Sequence, residues 1–176
     1  MIRGRLRRRL GWLALVLVPL APAAAAVGSP AAHAGGLQLG LVSASGFLRD
    51  SNNGGPGSPV VAALNDIDGP AENVSVNPTG TGSNVKIAFT QHSGQCVGLD
   101  SSHMNFILVS CATGIGTVFR QYTRNGGLVF DNNYADAHNG GGEWDLSADG
   151  STGDQLIAAI AGTFFQRWQN CSGGCA

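Results

Sequence analysis

Between Phe130 and Trp144 the chain reads D-N-N-Y-A-D-A-H-N-G-G-G-E, a polar run bounded by aromatic residues. Asp131, Asn133 and His138 offer directed hydrogen-bonding groups, and Tyr134 or Trp144 offers a flat apolar face. A sugar needs both, since its ring combines hydroxyls with weakly apolar faces. These five residues form the candidate ligand-binding set. A solvated loop with Trp144 packed beneath it is the competing reading. Asp145-x-Ser147-x-Asp149-Gly150 imitates the start of a calcium loop, and Asp154 adds a carboxylate. Leu156 stands where such a loop needs a bidentate Glu, so a hairpin turn explains the same residues and no metal site is expected. Asp100 can either orient a ligand hydroxyl or cap its own turn.

Catalytic patterns are missing from the sequence. His92, His103 and His138 are dispersed, with no H-E-x-x-H and no G-x-S-x-G. The Gly clusters precede strand-like runs rather than helices, so no phosphate-cradling loop is present. The expectation is a non-enzymatic chain without a cofactor.

Residues 1–34 read as a secretory leader. Arg3, Arg5, Arg7, Arg8 and Arg9 precede an apolar stretch, and Ala32-His33-Ala34 offers small residues for cleavage. A membrane anchor is the rival, opposed by Pro19 and Pro22. The Arg-then-Ala texture suggests a bacterial source. Removal of the leader leaves residues 35–176 as one domain, secreted to the extracellular space. That part carries five basic groups against eleven acidic ones, a net charge of −6. Such a surface repels phosphate backbones, so nucleic acid and anionic membrane are not expected partners. Four cysteines in an exported chain allow three pairings. Cys96 with Cys111 and Cys171 with Cys175 is the expected pairing, because both are local. Zinc is the other use of four cysteines, but no C-x-x-C pair occurs.

The chain nearly repeats itself at a step of about 46–48 residues. LQLGLVSASG at 37–46 aligns with VKIAFTQHSG at 85–94, and TVFRQYT at 117–123 returns as TFFQRWQ at 163–169. The apolar runs at 60–64, 108–112 and 156–160 follow the same step. Leu37, Leu39 and Leu41, like Val85, Ile87 and Phe89, alternate at period two, which reads as half-buried strand. Turn-rich stretches separate the runs. The expectation is all-β: three repeats, about 36–78, 79–123 and 124–170, with about twelve short strands and no confident helix. Phe119, Tyr122, Phe165 and Trp168 recur at equivalent positions and read as core.

The segment from Gly46 to Val74, GFLRDSNNGGPGSPVVAALNDIDGPAENV, resembles a repeat of the fascin-like β-trefoils. SGQCVGLD at 93–100 and FQRW at 165–168 are similar, more distantly, to the ricin-type β-trefoil lectins. The resemblance implies a β-trefoil, and it likens Cys96–Cys111 to an intrarepeat disulfide of those lectins. Leu108, Val109 and Ser110 occupy the place of the lectin stacking aromatic, so the ancestral pockets are blunted. The expected function is secreted, non-catalytic binding of extracellular carbohydrate through surface loops. The alternative is a secreted protein-binding trefoil, such as a protease inhibitor, using the turn at 51–58.

Overall fold

The period-two pattern becomes, among the described residues, twelve antiparallel strands and one short helix in the computed structural model. The described residues are 37–42, 46–50, 54–63, 72–80, 82–148, 155–162 and 165–171. The first unit holds β1 (Leu39–Leu41), β2 (Phe47–Asp50), β3 (Val60–Ala63) and β4 (Val74–Pro78). The second holds β5 (Asn84–Phe89), β6 (Gln95–Leu99), β7 (Phe106–Ser110) and β8 (Phe119–Arg124). The third holds β9 (Gly127–Asn132), α1 (Asn133–His138), β10 (Trp144–Ser147), β11 (Ile157–Ile160) and β12 (Trp168–Asn170).

The outer strands of the units form a ring. β1 pairs with β12, β12 with β9, β9 with β8, β8 with β5, and β5 with β4. Two backbone bonds between Leu37 and Val74, of 3.2 and 2.7 Å, close it beside β4. Closure removes the unpaired edge that an open sheet would expose. The inner strands make three hairpins, β2–β3, β6–β7 and β10–β11. These bond to one another: Leu156 N–H donates to the Val60 carbonyl, and Phe106 N–H to the Leu156 carbonyl.

Alternation decides what lies inside. Along β5, Val85, Ile87 and Phe89 are buried while their neighbours are half-buried. Leu39, Ile87, Phe89, Phe119, Phe130 and Trp168 are fully buried. The Phe119 ring lies 5.6 Å from Phe106 and 6.5 Å from Phe130, centroid to centroid. Trp168 donates its indole N–H to the Leu146 carbonyl at 3.1 Å, which satisfies its polar edge inside the core. Phe119 and Trp168 are thus core, as their recurrence implied, and Phe165 packs partly buried against them. Tyr122 departs from that expectation and joins a cluster of charged groups.

Helix α1 is the second departure. The sequence holds no helical stripe there, because six residues cannot display one. The Asn132 side chain starts the helix instead, accepting from the backbone N–H of Tyr134 and Ala135. No helix among the described residues is long and apolar enough to cross a membrane.

Cys96 is bonded to Cys111, which ties β6 to the turn after β7. Cys171 is buried after β12, whereas its expected partner Cys175 lies outside the described residues, as does the leader. A closed loop with a sequence separation of 15 restricts the unfolded chain, and such a constraint contributes about 3 kcal/mol. The double substitution Cys96→Ala and Cys111→Ala is expected to lower unfolding free energy by about that amount. Urea unfolding of the oxidised proteins measures it.

Candidate functional site

Helix α1 and the segment joining β7 to β8 form the two walls of a cavity of 330 Å³. Gly114, Gly116, Thr117 and Val118 line one wall, and Asn133, Tyr134, Ala137 and His138 line the other. Asn132 holds the walls together. Its Nδ2 donates to the Gly116 carbonyl at 2.7 Å, while its Oδ1 caps the helix at 3.0–3.2 Å. The Asn133 N–H adds a bond to the Val118 carbonyl at 3.3 Å. Gly116 has φ +63°, and a Cβ there would come within 2.6 Å of Leu99, so only glycine suits this part of the wall.

Three of the five candidate residues meet at this cavity. Tyr134 and His138, one helical turn apart, stack with ring centroids 3.8 Å apart and an interplanar angle of 7°. His103 meets both rings edge-on, at 5.1 and 5.5 Å. The His138 Nδ1 lies 2.8 Å from the Tyr134 carbonyl. A carbonyl only accepts, so Nδ1 carries a proton, and Nε2 remains for a further partner. Asn133 is exposed, and its Nδ2 reaches Asn84 Oδ1 at 3.4 Å. One face of the Tyr134 ring is covered by the His138 imidazole.

Asp131 and Trp144 lie elsewhere. Asp131 is fully buried on β9, where Arg120 bonds its Oδ2 at 2.5 Å and Trp144 N–H donates to its Oδ1 at 3.2 Å. It cannot reach a ligand hydroxyl in this arrangement, because its side chain is sealed from solvent. Trp144 packs against the core, with its indole N–H on the Gly141 carbonyl. Its backbone N–H also donates to Asp136 at 2.8 Å. These two residues anchor the end of the loop that follows α1.

A charged cluster surrounds that anchor. Arg120, Tyr122 and Arg124 alternate along β8 and so share one face. Arg124 bonds Asp145 Oδ2 at 2.5 Å, and Glu143 reaches both guanidinium groups, at 2.9 and 3.8 Å. Two guanidinium groups thus meet four carboxylates, those of Asp131, Asp136, Glu143 and Asp145. Burial pushes the Asp145 carboxyl up to about 6, against the pull of Arg124 and helped by Asp131 and Glu143. Burial and the neighbouring Asp136 also raise Asp131 to about 6, with Arg120 opposing.

No protein-family model and no curated protein sequence matches this chain. Among solved structures it is similar to ThreeFoil, a designed three-fold symmetric protein. That likeness has a TM-score of 0.62 at 16% identity and covers 77% of this chain and 97% of that one. The fold is a β-trefoil. A second similar structure is the Polyporus squamosus lectin, crystallised with the human-type influenza-binding epitope Neu5Aca2-6Galb1-4GlcNAc. There the TM-score is 0.56 at 13% identity, over 77% of this chain and 48% of the lectin's.

Other candidates find structural roles in this trefoil. Asp100 caps its own turn: its carboxylate accepts from the Ser102 hydroxyl at 2.6 Å and from Asn105 Nδ2 at 2.8 Å. Burial alone would raise its carboxyl, but these donors and the backbone N–H of Met104 and Asn105 outweigh it and bring it to about 2. In the calcium-like stretch, Asp145 faces Arg124 and the Ser147 hydroxyl donates to the Asp145 carbonyl. Asp149 and Asp154 lie outside the described residues. So does 51–53 of the first-unit turn, whose trailing Gly57 is bonded to Leu108.

Asn132, Gly116 and Val118 were missing from the candidate set. D-N-N ahead of Y-A-D-A-H was the available signal, since Asn is a preferred helix cap. Asn132→Ala is expected to cost about 1–2 kcal/mol, typical for a lost cap, with Gly116 left unpaired as well. Chemical denaturation measures the loss, and hydrogen exchange at Tyr134 and Ala135 should report local opening.

The buried carboxyls also set a pH dependence. Each titrates above its ordinary value of 3.8 in the folded trefoil. Between about pH 4 and 6 the folded state therefore binds protons that the unfolded state has released, and stability falls as pH rises. The melting temperature is expected to be higher at pH 5 than at pH 7. Asp100, shifted the other way, removes stability as pH drops below about 4. Melting curves from pH 3 to 8 would show this, and Asp145→Asn should flatten the limb above pH 5.

Proposed function

We propose that this trefoil is an exported, non-catalytic carbohydrate-binding protein that takes its ligand at the cavity beside α1. The observation that carries the reading is the meeting of Asn133, Tyr134 and His138 on one wall. The cavity volume lies near the lower end of the usual range for small-molecule sites, which suits a single sugar residue. The Tyr134–His138 stack supplies a rigid apolar edge, and the Asn133 amide and His138 Nε2 supply directed polar groups. The likeness to a glycan-binding lectin supports the same reading at the level of the fold alone.

Catalysis is not part of the proposal. The buried acids Asp131 and Asp145 are held by Arg120 and Arg124, away from the lining of the cavity. Retention of the oxidised chain, residues 35–176, on a panel of insoluble polysaccharides and a glycan array tests the reading. Binding competed by free sugar is expected, with a loss of about tenfold or more for His138→Ala, in keeping with about 1–3 kcal/mol per lost contact group. Trp144→Phe, outside the lining of the cavity, should leave affinity nearly unchanged. Silence of the folded protein across the array, with stoichiometric capture of a protease instead, would transfer the case to the protein-binding alternative.

A further inference from the structure

Resting on the carbohydrate reading, we propose that the cavity selects a neutral N-acetylated hexosamine over the parent hexose and over acidic sugars. The first ground is charge. None of the eight residues lining the cavity is an aspartate, glutamate, lysine or arginine. Arg120 and Arg124 are already occupied by Asp131, Glu143 and Asp145. A uronic or sialic acid would therefore bring its carboxylate to a wall without a counter-charge.

The second ground is the mixed chemistry of the lining. Asn133, Tyr134 and His138 bring polar side chains from α1 and Thr117 brings one from the opposite wall, while Ala137 on the helix and Val118 facing it present only methyl groups. A plain hexose carries hydroxyls around its ring, and those turned to Val118 and Ala137 would lose water without finding a partner. An acetamido group changes that balance. Its methyl suits Val118 and Ala137, and its N–H and carbonyl suit an amide such as Asn133, which both accepts and donates. The Asn133 Nδ2 contact to Asn84, at 3.4 Å, is long and exposed, so the amide is available for exchange. Shape agrees as well. Gly116 fits against Leu99, where a Cβ would come within 2.6 Å, and Asn132 fixes the distance of this wall from the helix.

Calorimetric titration of the full oxidised chain tests the inference, using N-acetylglucosamine, N-acetylgalactosamine, glucose, galactose, glucuronic acid and N-acetylneuraminic acid. At least one N-acetylhexosamine is expected to bind about tenfold more tightly than its parent hexose, the discrimination one apolar group gives in a fitted pocket. Neither acid should bind better than the neutral sugars. Ala137→Asp, at an exposed helix position, should abolish the N-acetyl preference while the melting temperature is kept. Equal affinity for hexose and N-acetylhexosamine, both lost in His138→Ala, would overturn the inference and leave the carbohydrate site standing. Preference for an acidic sugar would overturn it too. Absence of binding by every sugar tested would overturn the carbohydrate reading beneath it.

Discussion

Leu39, Gly40 and Leu41 pair with Asn170, Gln169 and Trp168, and this ladder joins the first described strand to the last. Leu39 and Trp168 are both fully buried, so the same pairing that closes the backbone also seals the core. Opening it would expose two strand edges and a tryptophan at once. Everything outside the ring is hung on that closure. The three hairpins bond to one another and cover the interior, and α1 occupies the excursion between β9 and β10. A loop can carry unusual chemistry here because the ring beneath it does not depend on the loop for its pairing.

The charged cluster between β8, β9 and β10 has a different character. It lies where β8 and β10 flank β9, and it fixes side chains at the cost of leaving Asp145 Oδ1 without a hydrogen bond among the described residues. An excess of carboxylate over guanidinium in a buried place is a poor source of stability. What the cluster does achieve is position: Asp131 and Asp136 both receive the Trp144 N–H, so the end of the loop is set by the strands.

Much of the architecture was legible because strands of this kind announce themselves through alternation. Val85, Ile87 and Phe89 point inward as their spacing implied, and Phe119 is buried with its repeat counterpart Phe165 packed against the core. The local pairing of Cys96 with Cys111 was also readable. The site was legible only in part. Asn133, Tyr134 and His138 share a wall because a helix brings residues one turn apart together, and that helix is too short to show a periodic stripe. Asp131 looked available because composition cannot tell which way a strand residue faces. Its orientation depends on the register that sets it opposite Arg120 and Asp145. Tyr122 misled for the same reason: its neighbours on β8 form a charged face rather than a core layer.

The two walls of the cavity come from successive units, one from the segment after β7 and the other from the helix after β9. No single repeat contains the pocket, and a tie as small as the Asn132 amide spans the boundary. Repeat proteins change readily by duplication and exchange of whole units, which the shared ladder tolerates. Recombination that replaced either neighbour would erase this cavity even where every strand still found its partner.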